Sequence, residues 1–512
     1  MKNQQGDNMN TKENALDKAF IGHPKPLFSL SIVELWERFS YYGIRPLLVL
    51  FMAAVVTQGG LGLERTDAAA IVGIFGGCLY LAALPGGWIA DNILGQKRAV
   101  FYGAFIIALG HLSIALSIFN SFMFFIGLAL IVIGTGLFKT CASVMVGMLY
   151  RQNDVRRDSG FTIFYMGINI GGFIAPLICG FAQQQYGWHI GFGMGGIGML
   201  ISLLIFYFKT IPDFDEFKNK VGIEQNWDAP LHQNKNAKTI LLAAVAIAIA
   251  IFGLIAAGFI DLSPVSLAKK MVTIIIVFTA IYFLYLFFFN NLSLKDKKSL
   301  GVVLILFVAS SFFWSTFEQQ PTSFNLFAQD FTDRIVFGFE IPTTWFQAVN
   351  SLFIILLAPV TSALWIFLAR KNLEVSSIAK FIIGLLGAAA CFGIMLLASK
   401  LIIANGGGLV SPMWIVASLF CLTIGELALS PIGLSIMTQI APKAIKSQIM
   451  GLFFVSIALG NVVAGLVGGE VSIENIDVLP SVFGQSVWVL LIVAAVLFII
   501  KNPVMRMLKE KE

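Results

Sequence analysis

Charge is scarce in this chain: 12% of its 512 residues are Asp, Glu, Lys or Arg, against 58% hydrophobic, and the mean hydropathy is +0.85. No soluble protein of this length could cover its surface from that composition, so a polytopic membrane protein is expected. Histidine and cysteine are equally sparse. His23, His111, His189 and His232 are scattered, and Cys78, Cys141, Cys179, Cys391 and Cys421 sit in apolar stretches without CxxC spacing. Disulfides, a metal site and a cofactor are therefore not expected. HExxH and GxSxG patterns are missing, which argues against an enzyme, and repeated filter-like loops are missing, which argues against a channel. The net charge of +6 is spread over short loops rather than gathered in a patch, which excludes nucleic acid as a partner. Residues 1–26 are polar and lack the apolar core of a cleavable signal, so the first helix is expected to act as its own insertion signal.

Long apolar runs are what the chain does have. Fourteen are long enough to span, the first at 27–55 and the last at 484–502, which gives an all-α fold. Basic residues recur in alternate loops: Lys97 and Arg98; Arg151, Arg156 and Arg157; Lys209 to Lys238; Lys295 to Lys298; Arg370 and Lys371; Lys443 and Lys446. That alternation puts both termini in the cytoplasm. The expected organisation is an N-terminal tail (1–26), a six-helix bundle (27–210), a cytoplasmic linker that reads as a hinge (211–237), two extra helices (238–298), a second six-helix bundle (299–502) and a short tail (503–512). The extra pair is apolar on every side, as in helices that face lipid or fill a groove between halves.

Few charges lie inside the apolar runs, and their placement is selective. The first helix carries Glu34, Glu37, Arg38 and Arg45, each costing about 2.5–3.5 kcal/mol at a bilayer centre unless paired or hydrated. Glu34, Arg38, Tyr41, Tyr42 and Arg45 share one helical stripe, with Glu37 at its edge. Setting the extra pair aside leaves twelve helices, on which Lys139 falls in the fourth, Glu318 in the seventh and Glu426 in the tenth. In a fold of four three-helix repeats these are the repeat-initial helices, which meet around a midplane cavity. Four acids against three bases leave such a cavity one proton short of neutral, which favours a proton-coupled carrier. A zwitterion suits it, with Arg45 and Lys139 receiving an acid and Glu426 or Glu318 an amine. Tyr41, Tyr42, Tyr80, Trp314 and Phe453 could wall it, although packing is the commoner use of such side chains.

The chain resembles the proton-dependent oligopeptide transporters of the major facilitator superfamily. Glu34 to Gly43 fits ExxERFxYYG, Gly86 to Asp91 with Leu94-Gly95 fits GGWxADxxLG, and Phe164 to Gly171 fits FYxxxNxG. Phe313 to Gln319 resembles the seventh-helix FWxxxEQ stretch, Gly425-Glu426 the tenth-helix GE motif, and Asn350 with Pro359 the eighth-helix pattern. Phe138-Lys139 matches a fourth-helix FK, but Thr140-Cys141 stands where the family continues Pro-Asn.

The resemblance implies two six-helix bundles plus two extra helices in a bacterial inner membrane, importing di- and tripeptides with protons by alternating access. Proton coupling then falls to Glu34, Glu37, Arg38 and Glu318. Substrate contact falls to Arg45, Tyr41, Tyr42, Tyr80, Lys139, Asn169, Trp314, Asn350, Glu426, Phe453 and Ser456. Gating falls to Arg45, Glu318, Lys139, Glu426 and Asp91, the last with Lys97 and Arg98 as a latch between neighbouring helices. Partners are peptides, protons and the lipid bilayer, with a homo-oligomer allowed. The alternative is a proton-coupled carrier of another small solute, nitrate-like or a metabolite, on the same fold.

Overall fold

The computed structural model describes residues 16–151, 153–222, 226–232, 235–256, 263–290, 292–373, 375–441 and 445–509. Lys443, counted above among the basic groups, lies outside the described residues. Fourteen long helices carry the described chain: α1 Lys25–Ala53, α2 Arg65–Ile89, α3 Gln96–Ala115, α4 Phe122–Met148, α5 Arg157–Tyr186, α6 Trp188–Ile205, α7 Ala237–Ala256, α8 Pro264–Phe289, α9 Leu294–Phe317, α10 Trp345–Arg370, α11 Ser377–Ala404, α12 Met413–Ile440, α13 Lys446–Gly468 and α14 Leu479–Lys509. Twelve helical stretches among the described residues are apolar and long enough to cross a membrane. α1 and α7 complete the fourteen, α1 falling outside the dozen because its charges interrupt the apolar window. A two-strand hairpin, β1 Ile335–Val336 with β2 Phe339–Glu340, is antiparallel. α4 runs unbroken through Thr140-Cys141.

The chain divides into two compact units, one of Met1–Ile44 with Leu81–Asp261, the other of Arg45–Tyr80 with Leu262–Glu512. α1 and α2 thus contribute to both.

In the first unit, α3 lies against α4 and α6, and α6 against α5. Glycines set the approach of α3 to α4. A Cβ on Gly103 would sit 2.7 Å from the Gly134 carbonyl oxygen, and one on Gly110 would sit 2.8 Å from that of Gly127, the small-residue packing that membrane helices use where burial supplies little drive. The entry to α1 is pinned as well. His23 is buried, its Nδ1 2.8 Å from the Tyr150 hydroxyl and its Nε2 3.1 Å from that of Ser159. Arg156 donates to the Asp17 carboxylate and to the Gly22 carbonyl.

The described part of the linker, expected as a cytoplasmic hinge, packs against the α2–α3 turn. α6 continues through a wide turn, Phe206–Thr210, into a further helix at Ile211–Lys220. Phe214, Phe217 and Trp227 are buried, with the Phe214 and Trp227 rings stacked at 4.6 Å. Lys97 covers the Trp227 ring at 4.8 Å, its backbone N–H donates to the Trp227 carbonyl, and that of His232 donates to the Asp91 carbonyl. Lys97 also pairs with Asp215 and Asp228. Gly95 makes the contact possible. Its φ is +77°, and a Cβ there would lie 2.9 Å from the Ala229 backbone, so only glycine fits. The Asp91 side chain accepts from Gln96.

In the second unit, α9 packs on α13, α10 on α12, and α11 on both α12 and α14. The Arg65–Tyr80 part of α2 closes on α13, where a Cβ on Gly73 would meet the Gly465 Cα at 2.7 Å. α8 joins the same seam, with Ala268 buried against Ala70 and Val462. Its other face exposes Ile274, Phe278, Ile281 and Phe288, as a lipid-facing surface does.

Candidate functional site

The charged stripe of α1 folds into a compact ion cluster in the first unit. Glu37 follows the same helical turn as Arg38 and engages it directly, Arg38 Nη2 donating to Glu37 Oε1 at 2.7 Å. Glu34 lies one turn earlier, where Arg38 Nε reaches its Oε1 at 3.3 Å. All three are buried, Glu37 most deeply, at 1% exposure, so the residue expected at the stripe's edge is its best-covered member. Glu34 Oε2 is buried and has no hydrogen-bond partner among the described residues. Lys139 of α4 lies within electrostatic reach of Glu34. The Arg38 guanidinium stands 5.4 Å from the Tyr41 ring centroid, and Tyr41 and Tyr42 pack edge to face. This side of α1 also receives α5, where a Cβ on Gly167 would fall 2.8 Å from the Ser31 carbonyl. Asn169 is buried, and its amide N–H donates to the Tyr165 carbonyl one turn back, so half of its polarity is spent within α5.

A second cluster lies wholly in the second unit. Arg45 Nη2 donates to the Glu318 carboxylate, their side chains 11% and 4% exposed. Glu318 sits where α9 ends, and the sequence shows why the helix changes there. Pro321 brings no N–H, and the Gln320 side chain donates to the Phe317 carbonyl in its place, at 3.2 Å. A wide turn, Gln320–Phe324, then leads into a short helix, Asn325–Asp330. On α12, Glu426 accepts from Asn350 Nδ2 of α10 at 3.2 Å, and the same amide donates to Thr423. Glu318 lies within electrostatic reach of Glu426. Tyr80 is half-buried.

Three expected substrate contacts sit in packing environments. Ser456 is fully buried, its hydroxyl 3.0 Å from that of Ser310 and donating to the Phe453 carbonyl. Phe453 is buried beneath Gly433. Trp314 is 6% exposed and joins Phe313 and Phe317 in an aromatic cluster. Ser456 and Phe453 thereby help to hold α13 in place.

Another ion pair escaped the sequence reading. Arg65, in the first turn of α2, donates to the Asp330 carboxylate and to the Val471 carbonyl, the latter at 3.1 Å, and the Asp330 side chain is 4% exposed. Its only sequence signal was an arginine opening a helix beside an otherwise acidic set of loops.

The family model described as the POT family matches residues 97–489. A peptide transporter from Yersinia enterocolitica subsp. palearctica, YePEPT, is 54% identical over 496 residues, 97% of each chain. A di-/tripeptide transporter from Lactococcus lactis subsp. cremoris is 34% identical, covering 97% of this chain and 98% of the relative. Among solved structures, a peptide transporter POT in complex with sulfate aligns with a TM-score of 0.85 at 36% identity, covering 95% of this chain and 96% of that one. A POT family transporter in complex with 5-aminolevulinic acid aligns with the same score at 29% identity, covering 95% and 98%. The buried ion cluster of α1, the α9 carboxylate paired to Arg45 and the docked α2–α3 turn thus belong to a chain that is a member of the POT family of multi-pass transporters.

Proposed function

We propose that this protein imports di- and tripeptides together with protons across a bacterial inner membrane by alternating access, with both termini in the cytoplasm. Relatives named as peptide transporters at 54% and 34% identity over nearly the whole chain support the cargo. The observation that carries the proton coupling is the α1 cluster, where one guanidinium serves two buried carboxylates and Glu34 keeps a buried oxygen without a hydrogen-bond partner among the described residues. A proton on that oxygen would weaken the hold of Glu34 on Arg38, giving the cluster two states. Co-moving one proton lets a neutral peptide use the membrane potential, worth about 2.3 kcal/mol per charge per 100 mV.

Within this reading Glu34, Glu37, Arg38 and Glu318 handle the proton. Lys139, Arg45, Glu426 and Asn350 receive the charged ends of the peptide, and Tyr41, Tyr42, Tyr80, Asn169 and Trp314 surround its body. Arg45–Glu318 and Arg65–Asp330 hold one end of the second unit shut. Asp91, through its turn, ties the linker to α2. Dipeptide uptake into proteoliposomes tests the whole. It should accumulate peptide under an imposed inward proton gradient and stop when a protonophore collapses it. Uptake insensitive to the gradient would overturn the coupling, and accumulation of nitrate in place of peptide would overturn the cargo.

A further inference from the structure

In the first unit a cavity of about 420 Å³ lies between the α2–α3 turn and the end of the linker, within the range of roughly 300–1,000 Å³ that holds small ligands. The turn supplies Asn92 and Ile93, the linker supplies His232 and Lys235, and the first turn of α7 supplies Lys238. Two backbone features fix the wall. The His232 N–H donates to the Asp91 carbonyl, and the start of α7 packs against the chain that follows α2.

Among the described residues the lining carries two lysines and no acid. Asp91, next in sequence to Asn92, accepts from Gln96 instead. The other lysines between residues 209 and 238 all have counter-charges: Lys209 pairs with Asp213, Lys218 with Asp228 and Lys220 with Glu216. The remaining described acid of the linker, Asp215, is taken by Lys97. Lys235 and Lys238 are exposed, and neither has an ion pair or a side-chain hydrogen bond among the described residues. Like charges around one cavity repel, and an anion between them removes the repulsion. Asn92 has a donor to spare, since one of its two amide N–H groups goes to the Trp88 carbonyl at 2.9 Å and the other is left. What else the occupant carries follows from α7, which enters the membrane here. Lys238, Leu242 and Val245 fall at offsets 0, 4 and 7, one face of the helix, and Leu242 and Val245 are exposed. An anionic head with long apolar chains matches both the cavity and that face, whereas a soluble anion matches the cavity alone.

We propose that this cavity binds the phosphate headgroup of an anionic glycerophospholipid, with Lys235 and Lys238 pairing with the phosphate oxygens and an acyl chain lying along Leu242 and Val245. The headgroup joins three segments, the α2–α3 turn, the linker and the start of α7, and so adds to the docking that Trp227 and Gly95 provide.

Native mass spectrometry of the purified full-length protein, titrated with phosphatidylglycerol and with phosphatidylcholine of the same acyl chains, tests this. Both lipids carry a phosphate, but the second neutralises it with its own ammonium. The parent should hold phosphatidylglycerol more tightly. A lysine near an anionic lipid contributes about a fivefold preference, so Lys235→Gln/Lys238→Gln should lose roughly twenty- to thirtyfold in affinity for phosphatidylglycerol and little for phosphatidylcholine. Phosphatidylglycerol should also raise the melting temperature of the parent and not that of the double variant, because only a ligand that binds the folded state stabilises it. Lys269→Gln/Lys270→Gln, which removes the same charge from α8, should behave as the parent does. Inorganic phosphate at the lipid's concentration should leave the bound lipid in place. Equal affinity of the parent for the two lipids, undiminished binding by Lys235→Gln/Lys238→Gln, an equal loss in the α8 variant, or displacement of the lipid by inorganic phosphate would each overturn the proposal.

Discussion

Glu318→Gln separates the charge of the Arg45–Glu318 pair from its shape. The two side chains are 11% and 4% exposed, so little solvent screens them. A hydrogen bond to a charged group contributes about 1.5–3 kcal/mol net, and that much differential interaction shifts a two-state equilibrium roughly 10- to 150-fold. Stranding Arg45 unpaired adds to the loss, because removing one partner of a buried pair costs about 3–5 kcal/mol. The closed arrangement of this end should therefore lose most of its excess population in Glu318→Gln. Arg45→Gln/Glu318→Gln should recover part of it, since no charge is then stranded. Spin labels at the exposed positions Val55 and Ile335, introduced as cysteines after the five native cysteines are replaced, would read the distance in liposomes. The expected result is one short distance in the parent, a dominant longer one in Glu318→Gln and an intermediate mixture in the double variant. Identical distributions in all three, or a coupling below about 0.5 kcal/mol in the cycle, would refute the reasoning.

Glu34→Gln should abolish gradient-driven uptake while leaving peptide counterflow measurable; full gradient-driven uptake in that variant would remove Glu34 from the proton path. Arg65→Ala should raise the long-distance population in the same spin-label assay without abolishing dipeptide binding by calorimetry, because its partners Asp330 and Val471 lie apart from Glu426 in the chain. Trp227→Ala should lower the melting temperature, as the loss of a buried aromatic costs about 3–5 kcal/mol, and should speed protease cleavage between residues 220 and 237. The anchorage of the N-terminal segment should weaken on acidification: burial, with Arg156 nearby, holds the His23 pKa below its ordinary 6.5, so the neutral ring's contribution is complete above 6.5 and is lost as pH falls through the lower folded value. Amide exchange at Ile21 to Lys25, compared between the parent and His23→Gln at pH 7.5 and 5, should show a pH-dependent loosening only in the parent.

The helices were legible because each span writes its own signal in twenty or more consecutive residues. The α1 cluster was legible for a related reason: Glu34, Glu37 and Arg38 are neighbours in sequence, and charges in an apolar run demand partners. Pairs distant in sequence left no such trace. Arg65 and Asp330 are joined only by the fold, and nothing in either local sequence names the other. The docking of the linker was not legible because it rests on Phe214, Phe217 and Trp227, three side chains too few and too widely spaced to make a period. Ser456 is ambiguous in sequence for a different reason. Serine in an apolar helix is either exposed to a cavity or bonded to a neighbour, and only the position of Ser310 distinguishes the two.

The charge count over the whole membrane region, four acids to three bases, becomes more informative when divided between the two units. The first unit holds Glu34 and Glu37 against Arg38 and Lys139, and is balanced. The second holds Glu318 and Glu426 against Arg45 alone, and Arg45 is committed to Glu318. The deficit therefore belongs to Glu426, whose described hydrogen-bond partner is the neutral amide of Asn350 and which also feels the like charge of Glu318. On the proposed reading, a peptide ammonium is the cation this carboxylate lacks. Its arrival would neutralise Glu426, while a proton on Glu318 would release Arg45 to take up a carboxylate. The two events relieve the same excess of negative charge and so compete, unless the peptide brings its own anionic end to Arg45. A zwitterion does bring it. That supplies an electrostatic reason for the second unit to prefer a cargo charged at both ends over a simple cation or anion.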